Sequence, residues 1–551
     1  MSNTRQKQPK SEPQYRHSTM PGFLISIYLM LMFGFFPFFL TNQYANARTD
    51  KYILYMVLSS VMILAVVIAS LMDYFEEKRI HKATLRFMPL SPADISFLCF
   101  YGFAAISTMV SDYSKSAFLG LIQNEYGLNV GGRNNGLLLL TVYLLVYLAI
   151  TRRYVFKEYV LAIYLVFSSV VALLAIVNYF FLDFLGIYSG YLDIWDLFKG
   201  EQGKPNVILD FGSTLGNKNL ISSFMCLFLP VAVMCFVLFE KRYMRILSGI
   251  AICFAYCGLL CADSTSGILG LCVILAVMMI FSARSYTTLK RYFLAMLILF
   301  GSGKLLRLFS FFMGDRSKGF EFIQNFLIYS RKIYLVIALF AILFLLMQVF
   351  EKKLMPRYPK KAIIIALITL TACAILGAIG AVIYYSFINP EAELSDNLNR
   401  LLRFNERWGT HRGYYWIHSM EQYRDMSFVH KLFGTGPDTA YKVMEPFFPE
   451  MTTLFGETST DCVHNEFLNY LITQGALGLL SYLALLGTVT VRAIRRVKEN
   501  PLLLIFLSAV ICYAVQSVVN LYQPITTPLF FIFLSITEAL NRQTKIKTSP
   551  L

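Results

Sequence analysis

Four of the six histidines, His411, His418, His430 and His464, fall in one polar stretch with Arg400, Arg403, Arg407, Arg412 and Arg424. These two residue types suit one chemistry when they meet. A guanidinium donates two parallel hydrogen bonds to paired phosphate oxygens, so an arginine set can neutralise a diphosphate. An imidazole of ordinary basicity can accept the proton of an attacking hydroxyl. Together they would activate an acceptor sugar while stabilising a departing diphosphate. On composition alone, a solvated helical face with incidental histidines accounts for the same residues. A metal site fits less well. His411 and His418 are seven apart and would share a helical face, with Asp461 and His464 as further candidate ligands. That spacing spans two turns, too far for joint ligation of one ion, and no His-Glu-x-x-His pattern occurs. Gly434-Thr435-Gly436 lacks the third glycine and preceding strand of a dinucleotide site. Gly301-Ser302-Gly303-Lys304 lacks the first glycine of a P-loop and a following Ser or Thr. No metal and no other cofactor is expected.

The elements that must carry these residues are apolar. Of 551 residues, 57% are hydrophobic and 15% charged, against roughly 25% charged in soluble proteins. Runs of bilayer-spanning length recur along the chain. Hydropathy places about 14 spans, at 21–41, 52–73, 94–111, 136–151, 158–182, 219–239, 245–262, 265–282, 292–308, 333–350, 362–387, 470–490, 502–519 and 526–540. The expected fold is all-α: a polytopic membrane helix bundle with a large outer helical loop. It divides into a tail (1–20), spans 1–11 (21–387), an extracytoplasmic loop forming a cap (388–469), spans 12–14 (470–540) and a second tail (541–551).

With the N-terminus inside, 29 of the 49 Lys and Arg fall on the cytoplasmic side, as do only 9 of the 33 acids. The net charge of +16 is therefore topogenic and suits an anionic leaflet, not nucleic acid. Both termini are expected in the cytoplasm of a multi-pass plasma-membrane protein, and the first apolar run reads as an anchor, not a cleavable signal. Nine of the ten cysteines lie in or beside apolar runs and read as packing residues; Cys462 alone sits in an outer loop. The stretch 304–332 carries six basic residues against the inside-positive trend. It reads either as an interfacial amphipathic segment or as a misplaced span boundary. The spans show no internal repeat and almost no mid-span charge, which argues against a polysaccharide exporter or lipid flippase.

Six short motifs, in order along the chain, resemble the O-antigen ligase and polymerase superfamily. Asp461-Cys-Val-His464-Asn465-Glu466-Phe-Leu-Asn-Tyr-Leu471 through Gly475-Ala-Leu-Gly478 is similar to its His-Asn-x-x-Leu…Gly-x-x-Gly signature. Arg412-Gly-Tyr-Tyr-Trp416 resembles its Arg-x-x-x-Trp element, and Gly434-Thr-Gly436 its Gly-x-Gly element. Ser264-Thr265-Ser266-Gly267, Gly216-Asn217-Lys218-Asn219 and Arg133-Asn-Asn-Gly136-Leu137 resemble three further elements at outer span ends. Thr265 stands where the family commonly has arginine, so Lys218 or Arg133 would have to supply that charge.

The resemblance implies a metal-independent, inverting glycosyl transferase. Its donor would be a polyprenyl-diphosphate-linked glycan, and its acceptor a glycan, lipid or protein hydroxyl at the outer face. His464 and Arg412 would be catalytic. Arg133, Lys218 and Arg407 would assist at the diphosphate, while Asn465 and Glu466 would position the histidine and cap its helix. A polymerase of lipid-linked repeat units would use the same motifs. Gly434, Gly436, Gly475 and Gly478 are expected to make turns and close helix contacts, and Tyr414 and Trp416 to anchor at the membrane interface.

Overall fold

A computed structural model describes residues 19–42, 44–81, 88–124, 126–188, 211–314 and 318–544; most of both expected tails lies outside them. All 14 apolar runs form helices. Eleven are long and apolar enough to cross a membrane. The other three are shorter: Leu137–Arg153 and Thr527–Gln543, each of 17 residues, and Leu503–Gln516, which a 3-10 turn extends to Val519. Seventeen residues rise about 25 Å, at the lower limit for a span.

A helix apolar on every side must be buried in protein or surrounded by lipid. Both solutions occur. Lys218–Leu238 is buried from Leu220 to Val237 and forms the axis of the bundle. Lys360–Ile383 has no buried residue and touches the bundle only through its first turns, at Ile363, Ile364 and Leu367. Thr527–Gln543 lies almost wholly inside the bundle, where Phe531 stacks on Tyr143 and on Phe97.

One end of the bundle is tied by charge. Asp94 caps its own helix in a reciprocal pair with Ser91 and also binds Tyr147, Arg152 and Arg542. Glu538, equally buried, binds Arg492 at 2.9 Å. The opposite end carries the segment between the Lys360–Ile383 and Glu466–Arg496 helices. Short helices Asp396–Leu402, Trp408–Asp425, Phe428–Phe433, Ala440–Met444 and Phe448–Phe455 form there. A second, smaller apolar cluster of Tyr414, Tyr415, Val443, Met444, Met451, Val463 and Ile472 holds them together. Tyr414 and the half-buried Trp416 thus pack into this cap.

Two boundaries differ from expectation. The helix predicted at 292–308 runs from Tyr286 to Met313, so Lys304 and Arg307 lie inside it, and a separate short helix follows at Phe322–Tyr329. Lys304 donates to the carbonyls of Ile328 and Ser330 at 2.7 and 3.0 Å, so it tethers the returning chain. The run predicted at 470–490 is two helices. Gly475, at φ 71° and ψ −178°, breaks the Glu466–Arg496 element. The Tyr482 hydroxyl donates to Glu466 at 2.6 Å, although sixteen residues of straight helix would separate them by about 24 Å. Phe467 and Tyr470 also pack on Tyr482. The first half therefore folds back along the second, and the span proper begins after Gly475.

Candidate functional site

The fold-back is built from glycine pairs. Gly434, at φ 77°, approaches so closely that a Cβ there would lie 2.3 Å from Gln474 N; one on Gly475 would lie 2.2 Å from Leu432 O. Only residues without a side chain permit this approach. It lets Thr435 N and Gly436 N donate to the carbonyls of Ile472 and Thr473, at 3.2 and 2.8 Å, which the broken helix leaves free. The Ser107 hydroxyl donates to the same Thr473 oxygen at 2.8 Å. Gly434, expected to form a turn, and Gly475, expected to allow a close helix contact, thus also fix where the half-helix starts. Its N-cap is Asn465, whose Oδ1 accepts from Leu468 N at 3.0 Å. His464 is the residue before that cap, held at φ 51°.

The Trp408–Asp425 helix reaches across to the same point. Gly409, Thr410 and His411 all have left-handed backbone, with φ of 60°, 58° and 66°. The regular helix therefore begins at Arg412. Tyr415 stacks on His464 with ring centroids 5.6 Å apart, and Trp416 Nε1 donates to Val463 O at 3.1 Å. Strained backbone at Thr410, His411 and His464 is costly and is held by the surrounding contacts.

These residues line a cavity of about 510 Å³. Arg133, Lys218, Arg412 and His464 all face it, with Asn219, Thr265, Glu321, Tyr415, Glu457 and Asp461 among its other walls. Short β-ribbons place two of them. Ile122–Gln123 pairs antiparallel with Asn129–Gly131 just before Arg133, and Phe211–Gly212 pairs with Gly216–Asn217 just before Lys218. Three helix N-termini, at Lys218, Thr265 and the fold-back helix, converge here, and each carries partial positive charge.

The basic groups are not equally free. Arg133 gives Asp461 Oδ1 two hydrogen bonds, from Nε at 2.8 Å and Nη2 at 2.5 Å, and Arg48 approaches the other oxygen at 3.5 Å. Lys218 meets Glu321 at 3.3 Å. Arg412 donates to Gly409 O at 2.6 Å, but its Nε is buried without a partner, and among the described residues no carboxylate pairs with it. His464 Nδ1 is likewise buried and unpartnered. Burial pushes the His464 imidazole down to about 3, and repulsion from Arg412 and Arg133 adds to this against the pull of Asp461. The ring is therefore neutral at ordinary pH. Burial alone would raise Asp461, but Arg133 holds it below the usual carboxylate range. Asp438, under Arg133, is pushed up to about 7 by burial, although it accepts the amides of Arg133 and Asn135 at 2.6 and 2.9 Å.

The remaining expected site residues lie apart. Arg407 is exposed, outside the cavity wall, and pairs with neither Glu406 nor Asp396. Glu466 faces the bundle interior through Tyr482, and Asn465 touches only a small adjoining hollow with His464 and Tyr522. His411 pairs with Glu457 at 3.2 Å and His418 with Glu421 at 2.7 Å. His411 stacks on Phe455 and His418 packs on Phe447, with Tyr414 between them. Among the described residues no group of three or more His, Cys, Asp or Glu has the geometry to hold a metal. Sequence reasoning missed Arg48, Glu321 and Glu457; Arg48 left one signal, a basic residue at an outer span end.

The fold and this cavity define a polytopic helical membrane protein with a basic, helix-capped pocket at one end. Residues 322–483 match the family model described as O-antigen ligase. Over that segment, a little under a third of its length, the chain is similar to the O-antigen ligase family. The matched segment contains Arg412 and His464, while Arg133 and Lys218 lie upstream of it. No curated protein matches the chain.

Proposed function

We propose that this protein transfers a glycan from a polyprenyl-diphosphate carrier to an acceptor hydroxyl at the extracytoplasmic face. The observation that carries this reading is the meeting of an unpaired guanidinium, a neutral unpartnered imidazole and three helix N-termini in one cavity. The acceptor oxygen attacks the anomeric carbon as the bond from that carbon to the diphosphate oxygen breaks. The hydroxyl proton passes to His464, and the diphosphate leaves with the bonding electrons. A single displacement inverts the anomeric centre. Arg412 takes the developing negative charge, assisted by Lys218, Arg133 and the helix ends, so the step needs no metal.

The low basicity of His464 fits this order of events. Burial chiefly, and then Arg412 and Arg133, suppress its protonation. A bound diphosphate offsets both charges, so the imidazole gains proton affinity only when the donor is in place. Either a lipid-, wall- or protein-borne acceptor (a ligase) or a second lipid-linked repeat (a polymerase) satisfies the same chemistry.

The test is transfer by the purified protein in detergent, with a polyprenyl-diphosphate glycan, candidate acceptors and a chelator. Product should form without ATP or divalent ion. His464→Ala should lower kcat by about 10²–10⁴-fold and Arg412→Ala by about 10²–10³-fold, while Arg407→Ala should leave it unchanged. Full activity in either of the first two variants removes the assignment, and strict dependence on Mg²⁺ removes the mechanism.

A further inference from the structure

A second hollow, of about 460 Å³, lies at the opposite end of the bundle, where the Lys218–Leu238, Arg242–Cys261 and Tyr286–Met313 helices meet. Arg242 and Arg245, one turn apart, line one end of this open groove, and Phe236, Ile246, Gly249, Ile250 and Ile298 line the rest. The nearby carboxylates are committed elsewhere. Glu240 accepts from Arg291 at 2.7 and 3.0 Å, and Glu158 accepts from Lys241 at 2.7 Å and from Tyr243. Among the described residues neither Arg242 nor Arg245 has a carboxylate partner, and Arg245 Nε is buried without any hydrogen-bond acceptor.

The dimensions match one leaflet. From Arg242 at one end to Cys253 at the other is about 16 Å of helix rise, roughly half the 30 Å hydrocarbon core. Cationic groups thus sit where lipid phosphates lie, at the end of an apolar groove as long as an acyl chain. We propose that this hollow binds an anionic glycerophospholipid, its phosphate between Arg242 and Arg245 and one acyl chain against Gly249 and Ile250. Basic pockets between helices on the cytoplasmic side take anionic headgroups by this complementarity. The site is remote from the outer cavity and independent of the reaction proposed there.

The test uses the full-length protein in detergent, stripped of lipid and read by native mass spectrometry. It is titrated with phosphatidylglycerol, phosphatidylcholine of matched chains, and inorganic phosphate. Phosphatidylglycerol should be retained over phosphatidylcholine. The double variant Arg242→Gln/Arg245→Gln should weaken its retention about twenty-five-fold, about fivefold for each arginine, and leave phosphatidylcholine unchanged. Arg495→Gln, at an exposed arginine of the same end, should leave both lipids unchanged. A Cβ on Gly249 would already touch Phe236 and Ile298 at 3.6 and 3.8 Å, so Gly249→Leu must project into the hollow and should lower retention of both lipids. A melting curve checks that each variant is folded. Equal retention by wild type and the double variant, or an equal loss in Arg495→Gln, overturns the proposal. So does displacement of phosphatidylglycerol by inorganic phosphate, which would reduce the hollow to an anion site.

Discussion

At the scale of single residues, two buried groups beside the cavity titrate in opposite senses, and their balance can be measured. The folded-state pKa of His464 is lowered, so below its ordinary value the unfolded chain binds the extra proton and stability rises with pH. Asp438 is raised to about 7, so the folded state binds the extra proton and stability falls as pH rises toward that value. Between about pH 4 and 6 the two slopes largely cancel. Relative to wild type, Asp438→Asn should make stability rise more steeply with pH, by about 1.4 kcal/mol per pH unit over that interval, while Glu466, which burial also raises to about 7, opposes the histidine in both proteins. His464→Ala should expose the aspartate, giving stability that falls with pH. Thermal melting of the two variants in detergent across that range checks both signs. The same slope in Asp438→Asn as in wild type would mean that Asp438 is accessible to solvent and titrates normally.

At the scale of elements, the fold-back at Gly475 decides where His464 stands. Gly475→Ala places a Cβ at positive φ, 2.2 Å from Leu432 O, and should cost more than about 2 kcal/mol. Because the half-helix starts at the cavity, activity should fall further than stability predicts. Gly487→Ala in the same element meets nothing within 4 Å and should be neutral. Similar melting temperatures for the two variants would remove the structural role assigned to the break. This device was not legible in the sequence. Hydropathy records the length of an apolar run and not its direction, and the run from Leu468 to Leu486 is continuous. The break rests on one glycine whose partner, Gly434, lies forty-one residues upstream. The site itself was more legible. Arg133, Lys218, Arg412 and His464 each sit at a helix end marked by a charge or glycine beside an apolar run, and all reach one cavity. Arg407 has the same chemistry but faces outward, because the left-handed turn at Gly409–His411 reorients the chain between it and Arg412. Glu321 and Glu457 lie in polar segments without a repeating pattern, so only the folded chain shows what they approach.

At the scale of the whole molecule, the two ends of the bundle carry different electrostatics. One end gathers Asp94, Glu538, Arg152, Arg492 and Arg542 into a closed network over the buried carboxylates. The other gathers every cavity residue and the helical cap. Each helix reverses the chain, so both ends are sampled alternately, and the inside-positive bias can orient the bundle as a unit. The Lys360–Ile383 helix is the clearest link. It starts beside Lys352, Lys353 and Arg357 and ends at the segment that becomes the cap. If the basic end is cytoplasmic, the cap must face outward. Cysteines introduced at exposed Thr453, in the cap, and at Lys360 test this directly. A membrane-impermeant maleimide should label the Thr453→Cys protein on intact cells, and the Lys360→Cys protein only after permeabilisation. Native thiols should interfere little: Cys462 is buried, while Cys99, Cys272 and Cys373 lie on apolar helices that the bilayer would cover. The reverse labelling pattern would invert the bundle. It would put the cavity on the cytoplasmic side, where an exported glycan could not be its acceptor.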